Sequence, residues 1–251
     1  MKKFIGGIRL AIMYVIVFIF FVPWTLFAGT ILLIIGIFSK SARERVTLVI
    51  VRLALRIVLF MAGTRVTLRN VEYATKEPCL LVGNHRSYFD IITTYPFIKG
   101  RLGYVAKKEF AKIPPLAFWM KLAGCIFLDR SDPRKGLATI NECAEAIKSG
   151  RTMFVFPEGT RNHTQEMIDF HDGSYKIADK AGCPIVPVAL YGTDEIYEYH
   201  ITYFKPTHVY IQFGEPIPTA GLSKAELRAA HDKATAEVLR MYRELVAENS
   251  K

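Results

Sequence analysis

Between Phe4 and Phe38 the chain is apolar at almost every position, and Arg9 is the only charge. Pro23-Trp24-Thr25 interrupts the run near its middle and leaves two arms of about 15–19 residues, each at or below the roughly 20 that a helix needs to cross bilayer hydrocarbon. The pattern predicts a helical hairpin over residues 1–40 that anchors the chain in a membrane and turns at Pro23. It either dips into one leaflet or crosses and returns; a single tilted span is the alternative. Lys2, Lys3 and Arg9 at one end and Lys40, Arg43 and Arg45 at the other place both ends on the cytoplasmic side. A cleaved signal segment fits less well, because the apolar part is too long and no small-residue cleavage site follows it.

The period then changes. Over residues 41–63, Arg45, Arg52 and Arg56 recur on one helical face while Val46, Val49, Ile50, Leu53 and Ile57 populate the other. Such a basic amphipathic helix either lies in the headgroup region with its arginines among lipid phosphates or packs on the following domain. From Thr64 the pattern alternates strands (Arg65–Arg69, Cys79–Val82, Leu102–Ala106, Cys125–Leu128, Thr152–Phe156, Ile185–Leu190, His208–Phe213) with helical stretches (Tyr88–Phe97, Pro115–Leu122, Pro133–Lys148, Ser174–Ala181). A last helix starts at Ser223, with Glu226 in the capping-box position. Residues 64–251 therefore read as one α/β domain with a mixed, largely parallel central sheet flanked by helices.

Composition adds a partner class. Of 251 residues 51% are hydrophobic, and the net charge of +10 points to an anionic partner such as a phospholipid surface or a phosphorylated substrate. Nucleic acid fits poorly, since no recognition motif or aromatic-interleaved basic patch is present. Cys79, Cys125, Cys143 and Cys183 are scattered without C-x-x-C or metal-ligand spacing, as reduced core residues of a cytoplasm-facing protein would be. No metal site is expected.

The candidate chemistry sits at strand exits, where open α/β sheets place their ligands. The buried run Cys79–Val82 ends at Gly83 and delivers Asn84, His85 and Asp90. Ser87-x-x-Asp90 reads as a helix cap, and His85 with Asp90 also reads as a base with the carboxylate that orients it. Both hold together if His85 lies in the loop and Asp90 in the first helical turn. Residues 124–130 deliver Asp129 and Arg130; residues 152–161 present Glu158, Gly159, Thr160 and Arg161 in a tight turn. Arginine suits phosphate because its planar fork donates two parallel hydrogen bonds, and Gly159 lets backbone N–H groups approach an anion. Pro187 interrupts an apparent strand, which is tolerated only at an edge, a first residue or a bulge.

NHRSYFD at 84–90, GCIFLDR at 124–130, FPEGTR at 156–161 and IVPVAL at 185–190 together resemble, in order and spacing, the glycerolipid acyltransferase family. The layout is most similar to the bacterial 1-acyl-sn-glycerol-3-phosphate acyltransferases. The resemblance implies His85 as general base with Asp90 as partner. It implies acceptor binding by Gly124, Phe127 and Arg130 of the second motif and by Glu158, Gly159, Thr160 and Arg161 of the third. Pro187 belongs to the fourth motif, and Lys107 matches a lysine facing the acceptor phosphate, with Lys108 as its neighbour. The sequence departs from many members at His171-Asp172, where a lysine commonly follows the residue equivalent to Phe170.

On this reading His85 takes the proton of the sn-2 hydroxyl of lysophosphatidic acid as it attacks an acyl thioester, acyl-CoA or acyl-acyl carrier protein, to give phosphatidic acid. No cofactor is needed. A neighbouring lysophospholipid or glycerol-phosphate acyltransferase is the alternative among enzymes; a non-catalytic lipid-binding protein at the membrane surface is the alternative outside them.

Overall fold

The computed structural model describes residues 2–129, 132–162, 164 and 166–249. Seven strands form one sheet: β1 (Arg65–Arg69), β2 (Leu80–Gly83), β3 (Leu102–Lys107), β4 (Ile126–Leu128), β5 (Thr152–Val155), β6 (Ile185–Tyr191) and β7 (His208–Phe213). They lie in the order β1-β7-β6-β2-β5-β3-β4. Every pairing is parallel except β6 with β7. The central strands are continuous apolar runs because both faces of the sheet are covered. β2 through β6 point the same way, so their carboxyl ends, and the motifs that follow them, share one edge.

On one face, Leu81, Tyr104, Phe154, Val186, Val188 and Leu190 pack beneath α2 (Lys40–Ala62) and α3 (Phe89–Thr94). On the other, Leu80, Val82, Met153, Val155 and Ile185 meet α5 (Pro133–Lys148), α6 (Lys176–Ala181) and the start of α7 (Lys224–Asn249). The capping box of α7 is formed: Ser223 N–H donates to Glu226 Oε2 at 2.7 Å and Glu226 N–H to Ser223 Oγ at 3.4 Å.

The predicted turn at Pro23 does not occur. α1 runs unbroken from Lys2 to Phe38 with Pro23 inside it. The chain reverses instead at Ser39, whose hydroxyl caps α2 by accepting the Ala42 N–H at 3.1 Å. Proline removes the N–H that would pair with the Ile19 carbonyl, and packing around that turn holds the helix straight through. Here Thr25 donates to the Phe21 carbonyl at 2.6 Å and accepts the Trp119 indole N–H at 2.9 Å, from α4 (Pro114–Leu122). The paired apolar arms are thus one helix, and its partner is α2. Among the described residues one stretch, Phe21–Phe38, is long and apolar enough to cross a membrane.

α1 also lies on the domain along its length. Gly6 sits against the Phe204 backbone, where a Cβ would collide with the carbonyl oxygen. Tyr14 and Tyr197 join their hydroxyls at 2.8 Å, and Ala28 and Leu32 bury against Trp119.

The orientation of α2 reverses the interfacial reading. Arg52 donates to the carbonyls of Ile98 (2.9 Å) and Gly100 (2.7 Å), and Arg56 to that of Pro96 (3.3 Å). These two arginines satisfy the turn that follows α3, whose carbonyls would otherwise lack partners. Arg45 is exposed. Val46, Val49, Leu53, Ile57 and Phe60 face outward, and Leu26, Phe27, Leu33, Ile34 and Ile37 of α1 are exposed as well. An amphipathic pattern defines two faces without saying which meets the protein.

Candidate active site

β2 ends at Gly83, but its ladder continues through a side chain. The buried Asn84 amide donates to the Leu190 carbonyl at 2.9 Å and accepts the Leu190 N–H at 2.8 Å, which pins the chain to β6 as it leaves the sheet. The next residue is His85. Asp90, in the first turn of α3 and fully buried, gathers the loop around one carboxylate. Its Oδ2 accepts the N–H groups of Arg86 (2.7 Å) and Ser87 (2.9 Å) and contacts His85 Nδ1 at 2.7 Å; its Oδ1 accepts the Thr193 hydroxyl at 2.5 Å. The capping and orienting roles therefore coincide. An ionised carboxylate only accepts, so Nδ1 carries the proton and Nε2 keeps a lone pair. The imidazole is 18% exposed and stacks on Phe156 with ring centroids 4.3 Å apart.

The exit of β5 clamps the same histidine by its backbone. Glu158, 2% exposed, accepts the His85 N–H at 2.7 Å and the Ile168 N–H at 3.4 Å, and Asn162 N–H donates to the His85 carbonyl at 2.8 Å. Burial pushes the Glu158 carboxyl above its usual range, against the pull of those N–H groups. Its oxygens thus hold the base loop from within, a role beside the acceptor contact that the resemblance implies. Glu158→Ala removes the acceptor of the His85 N–H and of the longer Ile168 contact and is expected to cost about 1–3 kcal/mol of stability, read as a lowered unfolding temperature in detergent. Gly159 takes φ +70° in the turn, and Thr160 is exposed. Arg161 stacks on Tyr88 with its guanidinium carbon 3.8 Å from the ring centre, and its Nη1 donates to both Glu198 oxygens, at 2.7 and 2.9 Å.

The remaining expected residues divide by strand end. Lys107 is exposed at the exit of β3, and Lys108 donates to Asp129 at 2.6 Å, beyond β4. Phe127 lies in β4 opposite Ala106, and Arg130 falls outside the described residues. Gly124 precedes β4, at the sheet edge away from His85. Its glycine follows from φ +87° and from the Arg151 guanidinium, which fills the space of a Cβ. Pro187 is buried in the interior strand β6, registered with Val82 of β2. Its missing N–H falls where pairing changes hands: Ile185 bridges Ile217, Val188 opens the ladder with β7, and the Pro187 carbonyl accepts the Gly214 N–H at 2.8 Å. Gly124 and Pro187 thus shape the sheet rather than meet His85.

The sequence reading missed the segment between β6 and β7. Besides Thr193, it supplies Asp194, which accepts from buried Arg86 at 2.9 and 2.5 Å and from the Tyr199 hydroxyl at 3.0 Å. The available signal was a run of polar and aromatic residues, Gly192-Thr-Asp-Glu-Ile-Tyr-Glu-Tyr199, directly after a strand of the same sheet. Burial pushes the thiols of Cys79 and Cys143 up to about 12, so neither is a ready nucleophile. Among the described residues no group of His, Cys, Asp or Glu is arranged to hold a metal ion.

Comparison with known proteins matches the chain to a family. Residues 65–191 match the family model described as Acyltransferase. Human 1-acyl-sn-glycerol-3-phosphate acyltransferase alpha is 30% identical over 230 residues, covering 90% of this chain and 80% of the human protein. The Saccharomyces cerevisiae 1-acyl-sn-glycerol-3-phosphate acyltransferase is 29% identical over 192 residues, 75% of this chain and 63% of the yeast protein. The crystal structure of the 1-acyl-sn-glycerophosphate (LPA) acyltransferase PlsC from Thermotoga maritima superposes with a TM-score of 0.79 at 25% identity, covering 98% of both chains. A family match over half the chain, together with a relative 30% identical across 90% of it, means that the chain belongs to the acyltransferase family.

Proposed function

We propose that the chain acylates the sn-2 hydroxyl of 1-acyl-sn-glycerol-3-phosphate from an acyl thioester and releases phosphatidic acid and a free thiol. The observation that carries this is a histidine whose Nδ1 is held by a buried carboxylate, within one loop cluster of an arginine at the neighbouring strand exit. His85 Nε2 takes the hydroxyl proton as the oxygen attacks the thioester carbonyl carbon, while Asp90 stabilises the imidazolium. Collapse of the tetrahedral intermediate breaks the C–S bond, and the imidazolium returns the proton to the departing sulfur. The donor thioester is that of coenzyme A or of an acidic acyl carrier protein, both suited to a chain of net charge +10.

Arg161, with Lys107 and Arg130, is assigned to the acceptor phosphate. Arg161→Ala is expected to raise the KM for lysophosphatidate on the order of tenfold or more, the effect of losing a charge-assisted hydrogen bond, and to leave monoacylglycerol turnover nearly unchanged. Thiol release on both acceptors in mixed micelles, with each donor in turn, reads this and identifies the donor. Equal loss on both acceptors removes Arg161 from phosphate recognition. No thiol release with either donor refutes the activity.

The outward apolar faces of α1 and α2 are assigned to the cytoplasmic leaflet of the cell membrane. Contacts with the domain at Gly6, Tyr14, Thr25 and Leu32 favour α1 lying along one leaflet over crossing the bilayer.

A further inference from the structure

Arg161 does not approach the site alone. Its Nη1 is committed to Glu198 and its plane rests on Tyr88, and no other hydrogen-bond partner meets the guanidinium among the described residues. Nε and Nη2 form the edge that a guanidinium uses for a two-point grip on phosphate. The Glu198 carboxylate is 9% exposed and accepts a second donor, the Tyr88 N–H at 3.2 Å, from the loop that carries His85. One carboxylate therefore joins the arginine of the β5 exit to the loop of the base. Its own segment is anchored beside it: Thr193 and Asp194 bond Asp90 and Arg86, Tyr197 bonds Tyr14, and the Phe204 N–H meets the Gly6 carbonyl at 3.3 Å.

We propose that Glu198 is a positioning residue for phosphate recognition: it holds the Arg161 guanidinium at a fixed place relative to His85, with the Nε–Nη2 edge open to the acceptor phosphate. This rests on Arg161 reading that phosphate. A long arginine side chain loses considerable rotamer freedom when it grips a ligand, and Glu198 with Tyr88 takes that loss in the folded protein before the acceptor arrives. The carboxylate also offsets the positive charge that would draw phosphate, so its value lies in orientation and not in attraction.

The test compares Glu198→Ala and Glu198→Gln with Arg161→Ala in the full chain, in mixed micelles, on lysophosphatidate and monoacylglycerol. Glu198→Ala is expected to raise the KM for lysophosphatidate on the order of tenfold with kcat little changed, and to leave monoacylglycerol kinetics as they were. Glu198→Gln keeps an amide oxygen where Oε1 accepts from both Arg161 and Tyr88, and is expected to restore most of the KM. A lower KM in Glu198→Ala would mean that the carboxylate competes with phosphate, and overturns the proposal. So does an equal fall in kcat on both acceptors in both Glu198 variants, the mark of a merely structural residue, or unchanged kinetics throughout. If Arg161→Ala raises the lysophosphatidate KM and Glu198→Ala does not, this inference alone fails; if Arg161→Ala acts equally on both acceptors, the phosphate reading fails first.

Discussion

His85→Ala is expected to lower turnover by at least about 10²-fold, the low end for loss of a general base. The geometry concentrates the effect on the chemical step. Only the ring is removed; the backbone clamp by Glu158 and Asn162 does not use the side chain, so the loop keeps its course. Asp90→Asn is expected to fall in a similar range for a different reason. An amide can accept the Nδ1 proton, but it loses the charge that stabilises the imidazolium, and its N–H₂ turns a donor toward groups that now donate to Asp90: the Arg86 and Ser87 N–H groups and the Thr193 hydroxyl. That variant also costs stability, because a buried carboxylate bonded by four donors is exchanged for a poorer acceptor. Thiol release under saturating acceptor, alongside thermal unfolding in detergent, separates the two variants. Near-normal turnover in His85→Ala removes it as the base.

How far the sequence foretold this arrangement depends on the range of the forces involved. The central strands were legible as short apolar runs and the outer β1 and β7 as alternating ones, and the alternation with helices implied the parallel sheet that brings residues 84–90 and 156–161 to one edge. The His85–Asp90 contact was legible because it spans five positions of one loop. Contacts from the segment after β6 were not: Thr193 reaches Asp90 across 103 positions and Asp194 reaches Arg86 across 108, and neither follows from a local pattern. Pro23 misled for a related reason. Proline is a breaker within its own helix, but the Trp119 indole that braces Thr25 comes from 94 residues away. The arginines of α2 failed differently, because periodicity sorts residues into faces and leaves the identity of the neighbour open.

That inversion moves the weight of the proposed membrane attachment onto apolar side chains. With Arg52 and Arg56 occupied by the turn after α3, the surface that the proposed attachment would use is the exposed apolar side chains of α1 and α2, including Phe27, Ile34, Leu53 and Phe60, the last 82% exposed. Burying a large apolar side chain is worth about 1.5–3 kcal/mol, whereas an interfacial arginine adds about 1 kcal/mol that salt screens. Placing aspartate at all four positions is therefore expected to weaken binding to lipid vesicles by more than about 10²-fold, even after a generous discount for partial insertion. Folding is expected to survive, since these side chains already face outward. Arg45→Ala is expected to change binding by only a few-fold, and only at low ionic strength. Sedimentation with anionic and neutral vesicles, at low and molar salt, reads both variants, with mixed-micelle activity as the check on the fold. Release of the unmodified protein by a salt wash, or vesicle binding by the fourfold variant equal to that of the unmodified chain, assigns the attachment to charge and overturns the apolar face.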